Sequence, residues 1–262
     1  MNMGNSQTIT ALIPARNEEK NIKRCLESVK WCDKVMVLWM GDDKTGEIAK
    51  KSGAEVIARN KSNNDDFRLV QDNINWAIDN CKTDWILRID ADEVVTEELK
   101  NEIIEILNSK FLVHNSNIIA FGIPRNQYFL GGFLKGGDWA YDRLIRLFKP
   151  KFCRYDPIVQ VHEQFKVKGR IDYIENALLH YSHPEFKDVI DKFQKYTDME
   201  IRELKISKLN ALFKMLTLPI YVFLRWTFWH HGYRDGWRGI VAGAMRGWYE
   251  YLVYSKYLKF TT

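Results

Sequence analysis

The amino-acid sequence predicts an α/β fold with a helical extension at its C-terminal end. Through about the first 110 residues, apolar runs of strand length alternate with segments in which apolar residues recur every three or four positions. Strands that alternate with helices are typical of a parallel sheet covered on both faces. After Pro184 the spacing of apolar residues is helical. We therefore expect an α/β domain in residues 1–183, with halves at about 8–110 and 111–183, and a helical region in residues 184–262.

Four strands are predicted in the first half, and each is a short apolar run that ends at a polar turn: Thr8–Pro14, Lys34–Trp39, Glu55–Ile57 and Trp85–Ile89. The helices that follow them have end residues typical of helix termini. Asn17 is a candidate N-cap of the first helix and Thr96 of the fourth, while Gly53 ends the second. The predicted helical segments are 17–30, 45–52, 67–80 and 96–107.

The second half contains strand-like segments joined by glycine-rich turns: Ile118–Ile123, Asp142–Phe148 and Ile158–Val167. In the helical region, one face of a first helix carries a regular apolar set: Phe186, Val189, Ile190, Phe193 and Tyr196. A second apolar stretch, Ala211–Trp229, is interrupted by Lys214, Pro219 and Arg225, so its uninterrupted runs fall short of the ~20 residues that span a bilayer. We therefore expect a docking or interfacial element rather than a transmembrane span.

Charge and cysteine content limit the cellular context. The net charge is only +5, and the opening residues lack the basic and apolar regions of a signal peptide. Four cysteines form no CxxC pair and have no metal-ligand spacing, which is typical of reduced thiols in a cytoplasmic protein. No nucleic-acid-binding motif is present.

The last 62 residues differ from the rest of the chain. They carry ten Lys or Arg against three Asp or Glu, and 14 of the 35 aromatic residues. Two interpretations stay open. A basic, aromatic segment suits the cytoplasmic face of an anionic membrane. The same residues, with Gly243 and Gly247 allowing close helix packing, also suit a packed helical subdomain with a solvated basic face.

Polar residues follow three of the predicted strands, where ligands of parallel sheets bind. Pro14 ends the first strand, the turn at Asp42 follows the second, and Asp90 and Asp92 follow the fourth as an Asp-x-Asp pair. Two carboxylates at a strand end can hold a divalent cation through hard oxygen ligands. Such a cation stabilises a departing diphosphate. Most Asp-x-Asp pairs are solvated turns, but the position after a buried strand favours a metal site.

Several motifs together give the chain a resemblance to a known family. They are Ile13-Pro14-Ala15-Arg16-Asn17-Glu18-Glu19, Asp84 through Ile89-Asp90-Ala91-Asp92-Glu93, Asp142 through Arg146-Leu147-Phe148, Val161-His162-Glu163, His180-Tyr181-Ser182 and Gly232 through Gly239. This set resembles the family 2 glycosyltransferases, in particular the branch of lipopolysaccharide-core β-glycosyltransferases. The resemblance spans most of residues 8–250.

The resemblance implies a GT-A fold, a UDP- or similar sugar donor, Mn²⁺ or Mg²⁺, and inversion at the anomeric carbon. It places Pro14, Ala15, Arg16 and Glu18 along the nucleotide. It also assigns Asp90 to the ribose or the metal, and Asp92 to the metal. The implied acceptor is a glycan or a lipid-linked saccharide. The alternative interpretation of Arg16 and Glu18 is a plain ion pair at a helix start, which is less favoured than the nucleotide contact.

The sequence departs from the family pattern after the second strand. Leu38 stands where the family has an Asp that helps to recognise the base, whereas Asp43 and Thr45 match the end of that motif. We therefore expect Asp42 or Asp43 to take over part of the nucleotide recognition.

Three carboxylates are candidates for the general base that an inverting transfer requires. Glu163 matches the family's Val-His-Glu and is favoured, Asp142 comes second, and Asp138 is the third. His162 and His180 are candidate metal or diphosphate contacts, although a lone histidine is more often structural.

Other charged and glycine residues of this half have two readings each. Arg143, Arg146 and Lys149 could face phosphates or be solvated strand charges. Gly131-Gly132 and Gly136-Gly137 could act as hinges of a loop over the acceptor or form ordinary tight turns.

Two other functions compete with sugar transfer. A nucleotidyltransferase can share the α/β core and the Asp-x-Asp pair, but no Gly-rich phosphate loop lies near the first strand. A catalytically silent sugar-nucleotide-binding scaffold at a membrane surface would explain the missing acid at position 38. The retained Asp90, Asp92 and Glu163 favour the enzyme.

Overall fold

A computed structural model describes residues 7–59, 67–109, 117–141, 143–156, 165–183 and 186–260. The chain forms two compact units. Unit 1 comprises residues 1–124 and 143–179, and unit 2 comprises residues 125–142 and 180–262. The division follows contacts rather than chain order, because the segment 125–142 belongs with the C-terminal residues. The domain boundary expected after residue 183 stays a prediction.

The strands of both units are, in chain order, β1 (Ile9–Ala15), β2 (Lys34–Trp39), β3 (Glu55–Ala58), β4 (Trp85–Arg88), β5 (Glu93–Val94), β6 (Ile118–Phe129), β7 (Gly132–Leu134), β8 (Arg143–Phe148), β9 (Cys153–Tyr155), β10 (Phe165–Val167), β11 (Arg170–Tyr173) and β12 (Leu178–His183). The helices are α1 (Ile22–Ser28), α2 (Thr45–Lys51), α3 (Phe67–Asn80), α4 (Glu97–Asn108), α5 (Phe186–Glu203), α6 (Lys208–Leu224) and α7 (Gly236–Phe260). Between α6 and α7 lie a π-helix, Arg225–Trp229, and a short 3₁₀ helix, Gly232–Asp235.

Unit 1 is built on a sheet with the strand order β3-β2-β1-β4-β8-β6. β1 runs parallel to β2 and β4, and β2 runs parallel to β3, whereas β8 is antiparallel to both β4 and β6. Apolar residues of α1, α2 and α4 pack in one core cluster with one face of the sheet, and those of α3 pack in a second cluster. The α/β fold expected from the sequence is therefore confirmed, and the carboxyl ends of β1, β2 and β4 lie at one edge.

Unit 2 is organised around the fully buried Trp226. Its indole Nε1 donates to the carbonyl of Gly239 at 3.0 Å, and the ring of Trp139 contacts it edge-on with centroids 4.9 Å apart. A Cβ atom at Gly243 would lie 2.7 Å from the Trp226 ring, and one at Gly247 would lie 2.7 Å from the carbonyl oxygen of Pro219. The close packing expected from these two glycines is confirmed.

Some tryptophans of the C-terminal region fit a packed helical subdomain, and others fit a membrane-facing surface. Trp226 is buried and Trp248 packs against the core of unit 2, whereas Trp229 and Trp237 are exposed. The helical stretch Lys208–Trp229 is long and apolar enough to cross a membrane by length and composition. Lys214 and Pro219 interrupt the apolar runs but not the helix, so length alone does not exclude a span. The expected docking or interfacial element stays a prediction.

Candidate active site

The turns that follow β1 and β2 are joined by hydrogen bonds at the carboxyl edge of the sheet. The amide of Met40 donates to the carbonyl of Ala15 at 2.9 Å. The amide of Glu18 donates to Oγ1 of Thr45, the first residue of α2, at 2.8 Å. These bonds fix the backbone around Ala15 and Glu18, two of the residues assigned to the nucleotide.

Asn17 is not the N-cap of α1, contrary to the sequence prediction. The helix begins at Ile22, with Asn21 at the cap position, and Asn17 lies in the left-handed region with a φ of 57°. Its Oδ1 accepts from the amide of Asp42 at 3.1 Å instead. A Cβ atom at Gly41 would lie 2.5 Å from that oxygen, so the close approach of the two turns requires glycine.

Asp43 anchors both turns with its carboxylate. Oδ2 accepts from Thr45 Oγ1 at 2.8 Å and from the amide of Glu19 at 3.0 Å, and Oδ1 accepts from the amide of Thr45 at 3.1 Å. Burial acts to raise the pKa of Asp43, but these hydrogen bonds outweigh it and lower the pKa below its usual value of 3.8. Asp43 thus positions the backbone of the site, and its contact with a nucleotide stays a prediction.

Leu38 has no exposed surface. It packs with Leu12, Met36 and Ile74 in the core cluster beneath α3. A carboxylate in this environment would be a buried charge without solvent. The departure from the family motif at this position is therefore accommodated as an ordinary core residue.

Asp90 is held by two buried arginines. Its Oδ1 lies 3.0 Å from Nη2 of Arg88, and its Oδ2 lies 2.5 Å from Nη2 of Arg146. The same nitrogen of Arg146 lies 2.8 Å from Oε1 of Glu93, whose other oxygen accepts from the amide of Asp90. The side chains of Arg88, Arg146 and Glu93 are 5%, 1% and 0% exposed, whereas that of Asp90 is 32% exposed. The buried side chains of Arg88, Arg146 and Glu93 therefore hold Asp90 in place, while part of the Asp90 side chain stays exposed to solvent.

The thiol of Cys25 lies beside this loop and is affected by its negative charges. Its Sγ contacts the carbonyl of Asp90 at 3.5 Å. Burial raises the pKa of Cys25 well above its ordinary value, and the negative charges of Glu93, Asp92 and Asp90 raise it further. The three acidic residues thus produce a negative potential at the strand end, although Arg88 and Arg146 compensate Asp90 and Glu93.

The acidic loop fits a Mg²⁺ or Mn²⁺ ion that is completed by its ligand. Among the residues that the structure describes, no group of three or more His, Cys, Asp or Glu side chains has metal-site geometry. Mg²⁺ in phosphate-handling sites is held by one or two carboxylates together with substrate phosphates and water. The assignment of Asp92 and Asp90 to such an ion stays a prediction.

The remaining predicted site residues fall into three groups. Pro14 and Arg16 are half-buried at the end of β1, next to the joined turns. His180 lies on β12 in unit 2 and is half-buried. Asp142, His162 and Glu163 lie outside the described residues, so their assignments stay predictions.

Asp138, the third candidate for the general base, is engaged within unit 2. Its Oδ1 lies 2.6 Å from Nδ1 of His230, and its Oδ2 forms an ion pair with Arg225. The amide of the preceding residue, Gly137, donates to the carbonyl of His230 at 2.8 Å. Through these contacts Asp138 connects the segment that precedes β8 with Arg225 and His230, so its observed contacts are structural.

The glycine-rich loop around residue 136 is likewise fixed. The amides of Lys135 and Gly136 donate to Asp235 at 3.0 and 2.8 Å, and a Cβ atom at Gly137 would lie 2.2 Å from the ring of Trp226. Tight packing rather than hinge freedom accounts for Gly136 and Gly137. Between the two readings of the sequence, the structure favours the tight turn.

Arg88, Glu93 and Arg146 are the site residues that sequence reasoning missed. Arg146 was considered only as a phosphate contact or a solvated charge, whereas it lies buried among carboxylates. A signal was present: in the strand Arg143-Leu-Ile-Arg146-Leu-Phe148, the second arginine is flanked on both sides by apolar residues that are themselves core-forming.

The sheet, its joined turns and the acidic loop at the end of β4 define an α/β protein with the GT-A fold. The chain matches the sequence model described as Glycosyl transferase family 2 over residues 10–160, more than half of its length. It belongs to this family and is a glycosyltransferase.

Curated relatives support the assignment along nearly the whole chain. An uncharacterized glycosyltransferase of Rickettsia typhi is 27% identical, and the match covers 95% of this chain and 86% of that protein. The lipopolysaccharide core biosynthesis glycosyltransferase LpsC of Rhizobium meliloti is 23% identical, with 95% and 91% covered.

Two solved structures were also found to be similar. S. aureus TarS, residues 1–349 in complex with UDP, is 12% identical with a TM-score of 0.47, covering 96% of this chain and 89% of that one. The glucosyl-3-phosphoglycerate synthase of Mycobacterium tuberculosis, in complex with Mn²⁺, UDP and phosphoglyceric acid, is 21% identical with a TM-score of 0.35. That match covers 48% of this chain, which spans less than half (44%) of the synthase.

Proposed function

We propose that this glycosyltransferase moves a sugar from a UDP-sugar to a hydroxyl of a glycan or lipid-linked saccharide, with inversion at the anomeric carbon. The observation that carries the proposal is the acidic loop Asp90–Glu93, anchored by Arg88 and Arg146 at the edge where β1 and β2 also end. A nucleoside diphosphate has its base, ribose and phosphates spread over several ångströms, so it suits a site assembled from three strand ends.

Within this proposal, the residues after β1 line the nucleotide. Pro14, Ala15, Arg16 and Glu18 contact the base and ribose, and Asp43 keeps their backbone in place through its bonds to Thr45 and Glu19. Asp90 accepts from the ribose or adjoins the metal with its exposed edge. The buried Leu38 contributes no recognition of the base, so the nucleotide preference depends on these remaining contacts.

Asp92 is the residue that we assign to a Mg²⁺ or Mn²⁺ ion, with Asp90 beside it. A divalent cation, when bound, stabilises the negative charge that develops on the departing diphosphate. The contacts of His162 and His180 with the cation or the diphosphate, which the resemblance implies, stay predictions.

Glu163 is proposed as the general base, and Asp142 as its alternative. The acceptor hydroxyl oxygen forms a bond to the anomeric carbon while the bond from that carbon to the diphosphate oxygen breaks. The hydroxyl proton moves to the carboxylate of Glu163, and the nucleoside diphosphate leaves with the electron pair of the broken bond.

The first experiment tests the metal and donor assignments together. Purified wild type is screened by mass spectrometry against a set of nucleotide sugars with Mn²⁺, and consumption of a UDP-sugar is expected. Asp92→Ala should abolish turnover without a large change in the melting temperature, because the half-buried residue lies in a turn outside the core clusters. Glu98→Ala, an exposed acid on α4, is the matched control and should retain activity. Undiminished turnover in excess EDTA would overturn the metal assignment.

The second experiment separates the two candidate bases. Glu163→Gln should retain donor binding and lose transfer by on the order of 10²–10⁴-fold, since the amide cannot accept the proton. Asp142→Asn should lose much less. The opposite ranking would exchange the two assignments.

A cytoplasmic location on the inner face of a membrane completes the proposal. All four cysteines lie in the described part of the chain and are free thiols. Thiols that form no disulfide are typical of a reducing compartment. A test is the fractionation of cells that express the chain, in which recovery from the periplasm would contradict this location.

A further inference from the structure

Helix α6 buries little of its apolar surface within unit 2. Only Ala211 and Val222 of its 17 residues are buried. Five large apolar residues are spaced four, three, four and four positions apart and are exposed: Leu209, Phe213, Leu216, Ile220 and Leu224. At 3.6 residues per turn this spacing places them on one side of the helix. We call this side the α6 stripe.

The α6 stripe faces away from the packing partner of its helix. The opposite side of α6 contacts α7, where Pro219 approaches Gly247 closely enough that a Cβ atom there would lie 2.7 Å from its carbonyl oxygen. Lys214 extends over the ring of Tyr254 of α7, with its Nζ 5.6 Å from the ring centroid. The orientation of α6 is therefore fixed by α7, and the exposure of the stripe is a result of the fold.

Exposed aromatic residues also follow α6 along the chain. Phe228 and Trp229 of the π-helix are 63% and 79% exposed, and Trp237 at the start of α7 is 57% exposed. Tryptophan and tyrosine rings are enriched at membrane interfaces because one end of the ring system is apolar and the other is polar. A soluble surface rarely presents so many large apolar side chains together.

The charge of this region is strongly positive. Between residues 205 and 245 there are six basic residues, Lys205, Lys208, Lys214, Arg225, Arg234 and Arg238, against one acidic residue, Asp235. Asp235 already accepts hydrogen bonds from the amides of Lys135 and Gly136. On the helix, Lys208 and Lys214 lie on opposite sides of the α6 stripe, each about 120° from its centre.

We propose that the α6 stripe and the exposed rings of Phe228, Trp229 and Trp237 form a docking surface for an anionic lipid bilayer. The apolar stripe enters the boundary between headgroups and acyl chains, while Lys208 and Lys214 on its flanks contact anionic headgroups. The helix lies along the membrane plane, since its other side is occupied by α7. This inference does not depend on sugar transfer.

The charge pattern favours a bilayer over the other occupants of an apolar face. A second copy of the chain would bring two sets of flanking lysines together, and like charges across an interface are unfavourable. A transmembrane orientation of α6 would separate it from α7 and remove the close contact at Pro219 and Gly247. An anionic bilayer satisfies both the apolar and the basic part of the surface.

Vesicle co-sedimentation of the full chain tests the surface directly. The probes are phosphatidylcholine vesicles and vesicles of phosphatidylcholine with phosphatidylglycerol. We expect binding to the anionic vesicles that weakens as salt is added. The double variant Leu216→Ser/Ile220→Ser should lose binding to them by on the order of 10-fold or more. Phe186→Ser, an exposed aromatic on α5, is the matched control and should bind like wild type.

The charge part of the surface is tested with a second pair of variants. Lys208→Glu/Lys214→Glu should reduce binding to anionic vesicles by on the order of 10-fold or more, because each lysine near such a surface contributes attraction. Lys50→Glu/Lys51→Glu makes the same charge change at exposed positions of α2 and should bind like wild type. An equal loss of vesicle binding in both double variants would show that only the net charge of the protein matters. That result would overturn the proposed docking surface.

Two further measurements exclude the other occupants. Sedimentation velocity without lipid should give the same mass for wild type and Leu216→Ser/Ile220→Ser. A wild-type dimer that the variant abolishes would assign the stripe to a second copy and overturn the proposal. Alkaline carbonate should release the chain from isolated cell membranes, whereas resistance to carbonate would identify α6 as a span. Absence of binding to anionic vesicles at low salt would also overturn the proposal.

Discussion

Each of the two units holds an aspartate between two basic side chains, but in different surroundings. In unit 1, Asp90 lies against Arg88 and Arg146, whose side chains are 5% and 1% exposed. In unit 2, Asp138 lies against Arg225 and His230, whose side chains are 34% and 24% exposed. The basic side chains around Asp90 are buried, whereas those around Asp138 are partly exposed to water.

This difference determines how much each ion pair contributes to the fold. Removal of one partner from a buried pair leaves an uncompensated charge without solvent, whereas water and salt replace the lost partner of an exposed pair. Unit 1 is therefore expected to depend on its arginines. Unit 2 is expected to depend more on the packing of Trp226 against glycines than on its ion pairs.

The largest effect is expected from Arg146→Leu. Its loss leaves Asp90 and the fully buried Glu93 without their shared cation, so the free energy of unfolding should fall by about 3–5 kcal/mol. Urea denaturation followed by circular dichroism measures the change. Arg143→Leu, at an exposed position of the same strand, should cost about 1 kcal/mol or less. Similar losses in both variants would remove the distinction between buried and exposed arginines.

A slightly smaller loss is expected from Gly137→Ala in unit 2. The residue has a φ of 76°, and the added Cβ atom would lie 2.2 Å from the ring of Trp226. Left-handed strain and overpacking together predict a loss of about 2–4 kcal/mol, measured as a lowered urea midpoint. Gly236→Ala shares the positive φ but has no neighbouring atom within 4 Å, so it should cost only the backbone strain, about 1–3 kcal/mol. Equal costs would show that Trp226 yields to the added methyl group.

Arg225→Leu should have a small effect that depends on salt. The pair with Asp138 is partly exposed, and His230 remains 2.6 Å from the carboxylate, so the expected loss is about 0.2–1 kcal/mol. Thermal melts at low and high ionic strength should show the difference from wild type shrinking with salt, whereas the effect of Arg146→Leu should persist. A loss above that of Arg146→Leu would reverse the comparison between the units.

The smallest effect is expected from Asp43→Asn, and it depends on pH. The pKa of Asp43 is lowered in the folded state, so its carboxylate stabilises the fold above about pH 4 and loses this effect as the pH falls through the folded pKa. At neutral pH the variant should be less stable by a few tenths of a kcal/mol, because solvent screens the group. Melting temperatures across acidic and neutral pH should converge at the acid end. Asp42→Asn makes the same substitution at the exposed neighbouring position and is the matched control.

Elements with a strong local pattern could be predicted from the sequence. The bounds of β2 and α3 agree with the prediction, and Thr96 caps α4 by accepting from the amide of Leu99. Apolar periodicity and capping residues act within a few positions of the chain, so one sequence contains the information. The Asp-x-Asp pair was placed at the strand end for the same reason.

Contacts between distant segments could not be predicted in this way. Arg146 reaches Asp90 because β8 pairs antiparallel with β4, some 60 residues earlier in the chain, with Leu87 opposite Leu147. Asn17 adopts a left-handed conformation because its side chain bonds to the turn after β2, which outweighs its preference for a helix cap. The division of the tryptophans between core and surface likewise depends on which side of α6 contacts α7.

The four native thiols have a practical consequence for studying this chain in solution. Cys25, Cys32 and Cys153 are buried, and Cys81 is half-buried with a pKa raised to about 11. At neutral pH they stay protonated, and the thiolate is the form that reacts with maleimides. A cysteine introduced at an exposed position such as Leu209 should therefore be labelled selectively in the otherwise native background. A single fluorophore at that site would then report whether its surroundings are water or lipid.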